Sequence, residues 1–156
     1  MLSLTKISFG GTSAIVTSIG LIVGLTASGA SRGSVIAALL IFALGDNLTD
    51  ALSIHIYQES ERLESRRAFA ATVGNFVTRV AICAGFLALV SVLPSGYAVG
   101  VSLLWGAVLL AGLSWLVARS RGANPPMEVC KHLAVAFGVI ALSRMVGSAI
   151  LGMSVP

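Results

Sequence analysis

Five apolar stretches, each long enough to cross a membrane as a helix, make up most of this 156-residue chain. They cover residues 7–28, 35–57, 69–93, 99–118 and 132–153. About 20 apolar residues span the roughly 30 Å of hydrocarbon in a bilayer. Only 10% of the residues are charged, whereas a soluble domain carries about 25%. The sequence therefore predicts an all-α polytopic membrane protein, a single transmembrane domain of five spans.

The lysines and arginines between the spans predict the orientation of the chain. The N-terminus, the second connection and the fourth connection fall on one side of the membrane, with Lys6, Arg62, Arg66, Arg67, Arg119, Arg121 and Lys131. The other side carries Arg32 alone. Cytoplasmic loops are enriched in lysine and arginine, so we expect a cytoplasmic N-terminus. We attribute the net charge of +4 to this topology and expect the lipid bilayer, not nucleic acid, as its partner.

Four charged residues interrupt the apolar stretches and constrain what the protein does. Asp46 and Asp50 lie in the second stretch, Arg79 in the third and Arg144 in the fifth. A charge at the centre of a span costs about 2.5–3.5 kcal/mol even on insertion scales. Such residues are retained when they are paired with one another or used to bind an ion or a proton. The residue chemistry leaves both explanations open.

A cation site is the functional explanation of the two aspartates. Asp46 and Asp50 are four residues apart and share one helix face, and Asn47 lies beside them. Ser13 and Thr17 of the first stretch reach a depth comparable with that of Asp50. Carboxylate, hydroxyl and amide oxygens suit hard and borderline divalent cations. These five residues are the predicted metal ligands.

Structural pairing is the alternative explanation. Arg79 and Arg144 are expected near the depth of Asp46, and the planar guanidinium of arginine fits a carboxylate well. Two acids and two arginines would then cancel in charge and hold the helices together. The sequence shows no nucleophile–base set and no cofactor motif, so we expect neither an enzyme nor a bound cofactor. Cys83 and Cys130 are predicted to be free thiols.

The first span contains a motif for close helix packing. Gly20 and Gly24 form a G-x-x-x-G pattern, which lets two helix backbones approach each other in a membrane. We expect a packing contact here and, through it, a homodimer.

Several segments together resemble the vacuolar iron transporter family. Residues 10–18, GGTSAIVTS, are similar to the family's G-x-N-D-G-L-V-S-T opening of its first helix. Residues 49–55, TDALSIH, are similar to its G-E-[YF]-[VL]-S-V stretch. The third stretch closes on Leu93-Pro94, and the fifth ends on glycines spaced as in the family. The resemblance extends over nearly the whole chain and is to the short, nodulin-like form without a cytoplasmic metal-binding domain.

The resemblance implies a five-helix homodimer that moves Fe²⁺ or Mn²⁺ out of the cytosol in exchange for protons, here expected in a bacterial inner membrane. Asp50 falls on the family's second-helix glutamate, whereas Ser13 replaces its first-helix aspartate. Asp46 falls where the family often has methionine. We therefore expect Asp50 to carry the function and Asp46 to be the structural partner of the arginines. The alternative is a non-transporting subunit of a larger membrane complex.

Overall fold

The computed structural model describes residues 4–60 and 65–154, and these residues form helices with no strand among them. The elements are α1 (Leu4–Ala27), α2 (Arg32–Ile41), a π-helical turn (Phe42–Asp46), α3 (Asn47–Ser60), α4 (Ser65–Val92), α5 (Ser95–Ser120) and α6 (Pro125–Ser154). Five segments are long and apolar enough to cross a membrane, one for each predicted stretch. The all-α architecture is confirmed, with five helical segments suited to cross a membrane.

The last helix begins well before the predicted fifth span. The fifth apolar stretch was placed from His132, but α6 starts at Pro125 itself. Proline is tolerated in the first turn of a helix, where its missing N–H would have no partner within the helix. The break between α5 and α6 therefore precedes Pro125, and the middle of α6 lies closer to the N-terminus than the apolar stretch indicated.

The C-terminal ends of α1, α4 and α5 are capped. Gly29 (φ 76°) and Gly122 (φ 68°) adopt the left-handed conformation that ends α1 and α5, and glycine takes it without a Cβ penalty. The carbonyls at the end of α4 accept hydrogen bonds from Arg32, whose Nε lies 2.8 Å from the oxygen of Val90. A cation at a helix C-terminus also interacts favourably with the helix dipole.

The first helix is the centre of the bundle. It packs against α2, α4, α5 and α6 and supplies Ile15, Ile19 and Ile22 to the main hydrophobic core, where they meet residues such as Phe86 and Leu110. By contrast, α3 packs mainly on α4 and on the π-helical turn. The aspartates on the second span are therefore positioned chiefly by α4.

The glycine motif of α1 packs against α6 of the same chain. A Cβ added to Gly147 would lie 2.1 Å from the backbone oxygen of Gly24, and one added to Gly20 would lie 3.1 Å from Ser143 Oγ. The close packing expected of Gly20 and Gly24 is thus present, with α6 as the partner helix. A homodimer through this motif stays a prediction.

Gly147→Val should destabilise the bundle. The new side chain would force α1 and α6 apart, and overpacking of this kind costs about 1–3 kcal/mol. The measurement is thermal unfolding in detergent, with Gly152→Val as the matched control, because no atom lies within 4 Å of a Cβ at that position. Equal unfolding temperatures for the two variants would contradict the packing described for α1 and α6.

Candidate functional site

A π-helical turn immediately precedes the polar residues of the second span. It ends at Asp46, and Asn47 begins α3. Single π-helical turns inside helices are frequent at functional sites. Two side chains bond to carbonyls around this turn: Asn47 Nδ2 donates to the oxygen of Ala43 (2.9 Å), and Thr49 Oγ1 donates to that of Gly45 (2.9 Å). Polar backbone groups in a membrane need such internal partners.

The guanidinium of Arg79 joins α4 to three acceptors on the second span. Its Nε donates to Asn47 Oδ1 (2.5 Å), its Nη1 to Asp50 Oδ2 and its Nη2 to Asp46 Oδ2 (3.1 Å). Each nitrogen of the guanidinium therefore has its own oxygen acceptor. We call this group of four residues the acid–arginine cluster.

The cluster combines a fully enclosed cation with two partly open anions. The side chain of Arg79 is 0% exposed, whereas those of Asp46 and Asp50 are 53% and 39% exposed. One arginine between two carboxylates leaves a formal charge of −1. Arg79 bonds to both aspartates, and Asp46 is the more exposed of the two. The different roles expected of the two aspartates stay a prediction.

Asn47 is a buried hydrogen-bond acceptor for the arginine. It is fully buried, its oxygen accepts from Arg79, and its nitrogen lies 3.9 Å from Cys83 Sγ. Cys83 in turn lies 3.8 Å from Ser18 Oγ on α1. A buried polar chain therefore runs from the cluster to the central helix. Both cysteines are free thiols, as predicted, with Cys83 buried and Cys130 exposed.

Arg144 lies outside the cluster, contrary to the expectation that it would share the depth of Asp46. Gly10 lies beside the side chain of Arg79, and Gly24 lies beside Ser143. Fourteen residues of α1 separate these two levels, which is about 21 Å at 1.5 Å per residue. Among the described residues Arg144 therefore makes no ion pair with either aspartate, and its side chain is exposed.

Ser13 and Thr17 are half-buried on α1. Thr17 lines an apolar groove between α1 and α6, together with Gly20 and Gly24. Neither hydroxyl bonds to an aspartate in the part of the chain that the structure describes. The structure thus brings together Asp46, Asn47, Asp50 and Arg79 from the predicted set, while Ser13 and Thr17 remain predicted ligands without a direct contact.

Asn75 is a residue that the sequence analysis missed. It is 3% exposed, and neither its Oδ1 nor its Nδ2 has a hydrogen-bond partner among the described residues. A Cβ added to Gly10 would lie 1.9 Å from Asn75 Oδ1 and 3.0 Å from Arg79 Cγ. The amide therefore lies beside the cluster. An uncharged residue within an apolar stretch gave no signal in the sequence except that it precedes Arg79 by four residues.

No family model, curated protein or solved structure matches this chain. Among the described residues no three histidine, cysteine, aspartate or glutamate side chains lie close enough together to hold a metal ion. A metal at the cluster would therefore depend on the two carboxylates and on neutral oxygen donors.

Asn47→Leu should destabilise the protein more than the loss of an exposed hydrogen bond does. The change removes the acceptor of Nε of the buried Arg79, and an unsatisfied buried polar group costs about 1–3 kcal/mol. Thermal unfolding in detergent measures the effect. Thr49→Val, which removes an exposed bond within the helix, is the control, and a loss no larger than that of the control would contradict the role given to Asn47.

Proposed function

We propose that this protein is a membrane transporter of divalent metal cations and that the acid–arginine cluster is its cation site. The observation that carries the proposal is the pair of partly exposed carboxylates, Asp46 and Asp50, that share a single arginine within a membrane span. The residual negative charge attracts cations. Ionisable residues in membrane spans commonly belong to ion or proton pathways.

The donor set of the cluster supports a cation as the ligand. The three oxygens that surround the guanidinium belong to two carboxylates and one amide, and all of them act as acceptors. Oxygen donors of these types bind hard and borderline divalent cations. Fe²⁺ or Mn²⁺ is the cargo that the family resemblance implies. Carboxylates also bind protons, so a proton would compete with the metal, as exchange of one for the other requires.

The depth of the cluster supports loading from the side that is predicted to be cytoplasmic. Arg79 precedes the C-terminal residue of α4, Val92, by 13 residues, which is about 20 Å of helix. The hydrocarbon core is roughly 30 Å thick. The cluster is therefore nearer to the face of the membrane that holds the N-terminus of α4, and export from the cytosol would begin there.

A second candidate function rests on the hydrogen bonds of the buried Arg79. Because the buried guanidinium bonds to both aspartates, the cluster could act only as a structural tie between α3 and α4. The protein would then be a non-transporting subunit of a larger membrane complex. In that case an aspartate-to-asparagine change would lower stability, because it removes the charge of an arginine partner.

Transport measured in proteoliposomes separates the two functions. Wild-type protein should carry Mn²⁺ across the bilayer, and Asp50→Asn and Asp46→Asn should each reduce the initial rate by at least about tenfold, the range typical of a damaged metal site. Glu128→Gln on α6 is the control, because it makes the same acid-to-amide change in a carboxylate that pairs with Lys131 (2.9 Å).

Unfolding temperatures of the same variants complete the test. If the protein is a transporter, Asp50→Asn should remain folded while it loses transport. Wild-type vesicles that move no Mn²⁺ or Fe²⁺, or an Asp50→Asn variant that transports like the wild type, would overturn the proposal. Loss of folding in Asp50→Asn, combined with a transport-inactive wild type, would favour the structural subunit.

A further inference from the structure

The buried amide of Asn75 needs an explanation. Neither of its polar atoms has a partner among the described residues, although the residue is almost completely buried. Buried polar groups in folded proteins are almost always hydrogen-bonded. The structure thus leaves a buried amide without a partner, among the described residues, beside a buried arginine.

Arg79 is the side chain best placed to become that partner. Asn75 Oδ1 and Arg79 Cγ lie 1.9 and 3.0 Å from one point, the position that a Cβ on Gly10 would occupy. These two atoms are therefore no more than about 5 Å apart. The two residues are four apart on α4 and share one face. Helical side chains lean toward the N-terminus of their helix, which is the direction from Arg79 to Asn75.

The guanidinium also occupies the place that a metal would need. It donates to oxygens of Asp46, Asn47 and Asp50, so a positive group of the protein itself already occupies this set of oxygens. A divalent cation that binds these same oxygens must displace it. A displaced guanidinium in a membrane needs a new acceptor, because an unpaired buried charge is very costly.

We propose that Arg79 is a built-in competitor for the cation site and that Asn75 Oδ1 receives its guanidinium when a cation binds. This inference rests on the proposed function, since it assumes that the cluster binds a divalent cation. In this structure Arg79 bonds to the three oxygens, and Asn75 has no partner among the described residues. In the cation-bound state the metal lies between the aspartates, and Arg79 points toward the N-terminal end of α4. Asn75 is a positioning residue that acts through Arg79.

Mn²⁺ affinity of the purified full-length protein tests the exchange. Asn75→Leu keeps the approximate shape of the side chain but removes the acceptor, so displacement of Arg79 becomes harder. We expect at least about tenfold weaker Mn²⁺ binding, the usual scale for a group that supports a metal site. Unfolding without metal should be unchanged or at a higher temperature, because the change removes a polar group that is unsatisfied in that state.

A double-mutant cycle distinguishes this role from direct metal ligation. In an Arg79→Met background there is no guanidinium to displace, so Asn75→Leu should no longer affect Mn²⁺ affinity. Ser102→Ala is the matched control, because Ser102 on α5 is also buried (1% exposed) and its hydroxyl has no partner among the described residues. It should bind Mn²⁺ like the wild type.

Asn75→Asp keeps the test decisive if Arg79→Met does not fold. A carboxylate at position 75 should hold the guanidinium away from the aspartates and tighten Mn²⁺ binding, the opposite of the effect of Asn75→Leu. Wild-type affinity in Asn75→Leu, an equal loss in the Arg79→Met background or weaker binding by Asn75→Asp would each overturn the inference. A wild-type protein that binds no Mn²⁺ would overturn the proposed function with it, whereas the outcomes at Asn75 leave that function intact.

Discussion

The hydrogen bonds of Arg79 are the interaction on which the arrangement of the second span depends. A guanidinium with no exposed surface must have acceptors, and α3 and the turn before it supply them from Asp46, Asn47 and Asp50. Because α3 packs mainly on α4 rather than on the central helix, these bonds fix its position and rotation. Asn47 extends the network through Cys83 to Ser18 on α1. One buried cation thereby connects three of the five spans.

The charges of the cluster explain how the proposed cation site could also hold two helices together. A single arginine balances one aspartate and leaves the second uncompensated, so the folded state is held together without becoming neutral. The carboxylates are the part of the cluster that remains partly exposed. The bonds that orient the carboxylates would also oppose the proposed cation, because the guanidinium already bonds to the same oxygens. In the proposed transporter this competition would weaken binding and so favour release of the cation.

The sequence predicted the features that depend on local patterns. The lengths of the apolar stretches indicated the five spans, and the four-residue spacing of Asp46 and Asp50 placed them on one face, where a single arginine reaches both. Rules of helix packing likewise identified Gly20 and Gly24 as a close contact, although they could not say that the partner would be α6. In each case the information lay within one helix.

The errors came from properties that depend on how helices are placed relative to one another. Arg144 was assigned to the depth of Asp46 from the midpoint of an apolar stretch, but α6 starts at Pro125 and its level is set by packing on Gly24. A helical wheel showed the face on which Asn47 lies but not that Arg79 would bond to its amide oxygen. The burial of Asn75 beside Gly10 of α1 depends on a contact between helices, which single-helix patterns do not contain.

A structure of the protein in lipid nanodiscs with Mn²⁺, compared with one without metal, tests the central claim most directly. We predict Mn²⁺ between the carboxylates of Asp46 and Asp50, with the guanidinium of Arg79 moved to Asn75. An Arg79 that keeps its bonds to both aspartates at saturating Mn²⁺, with no ion at the cluster, would contradict it.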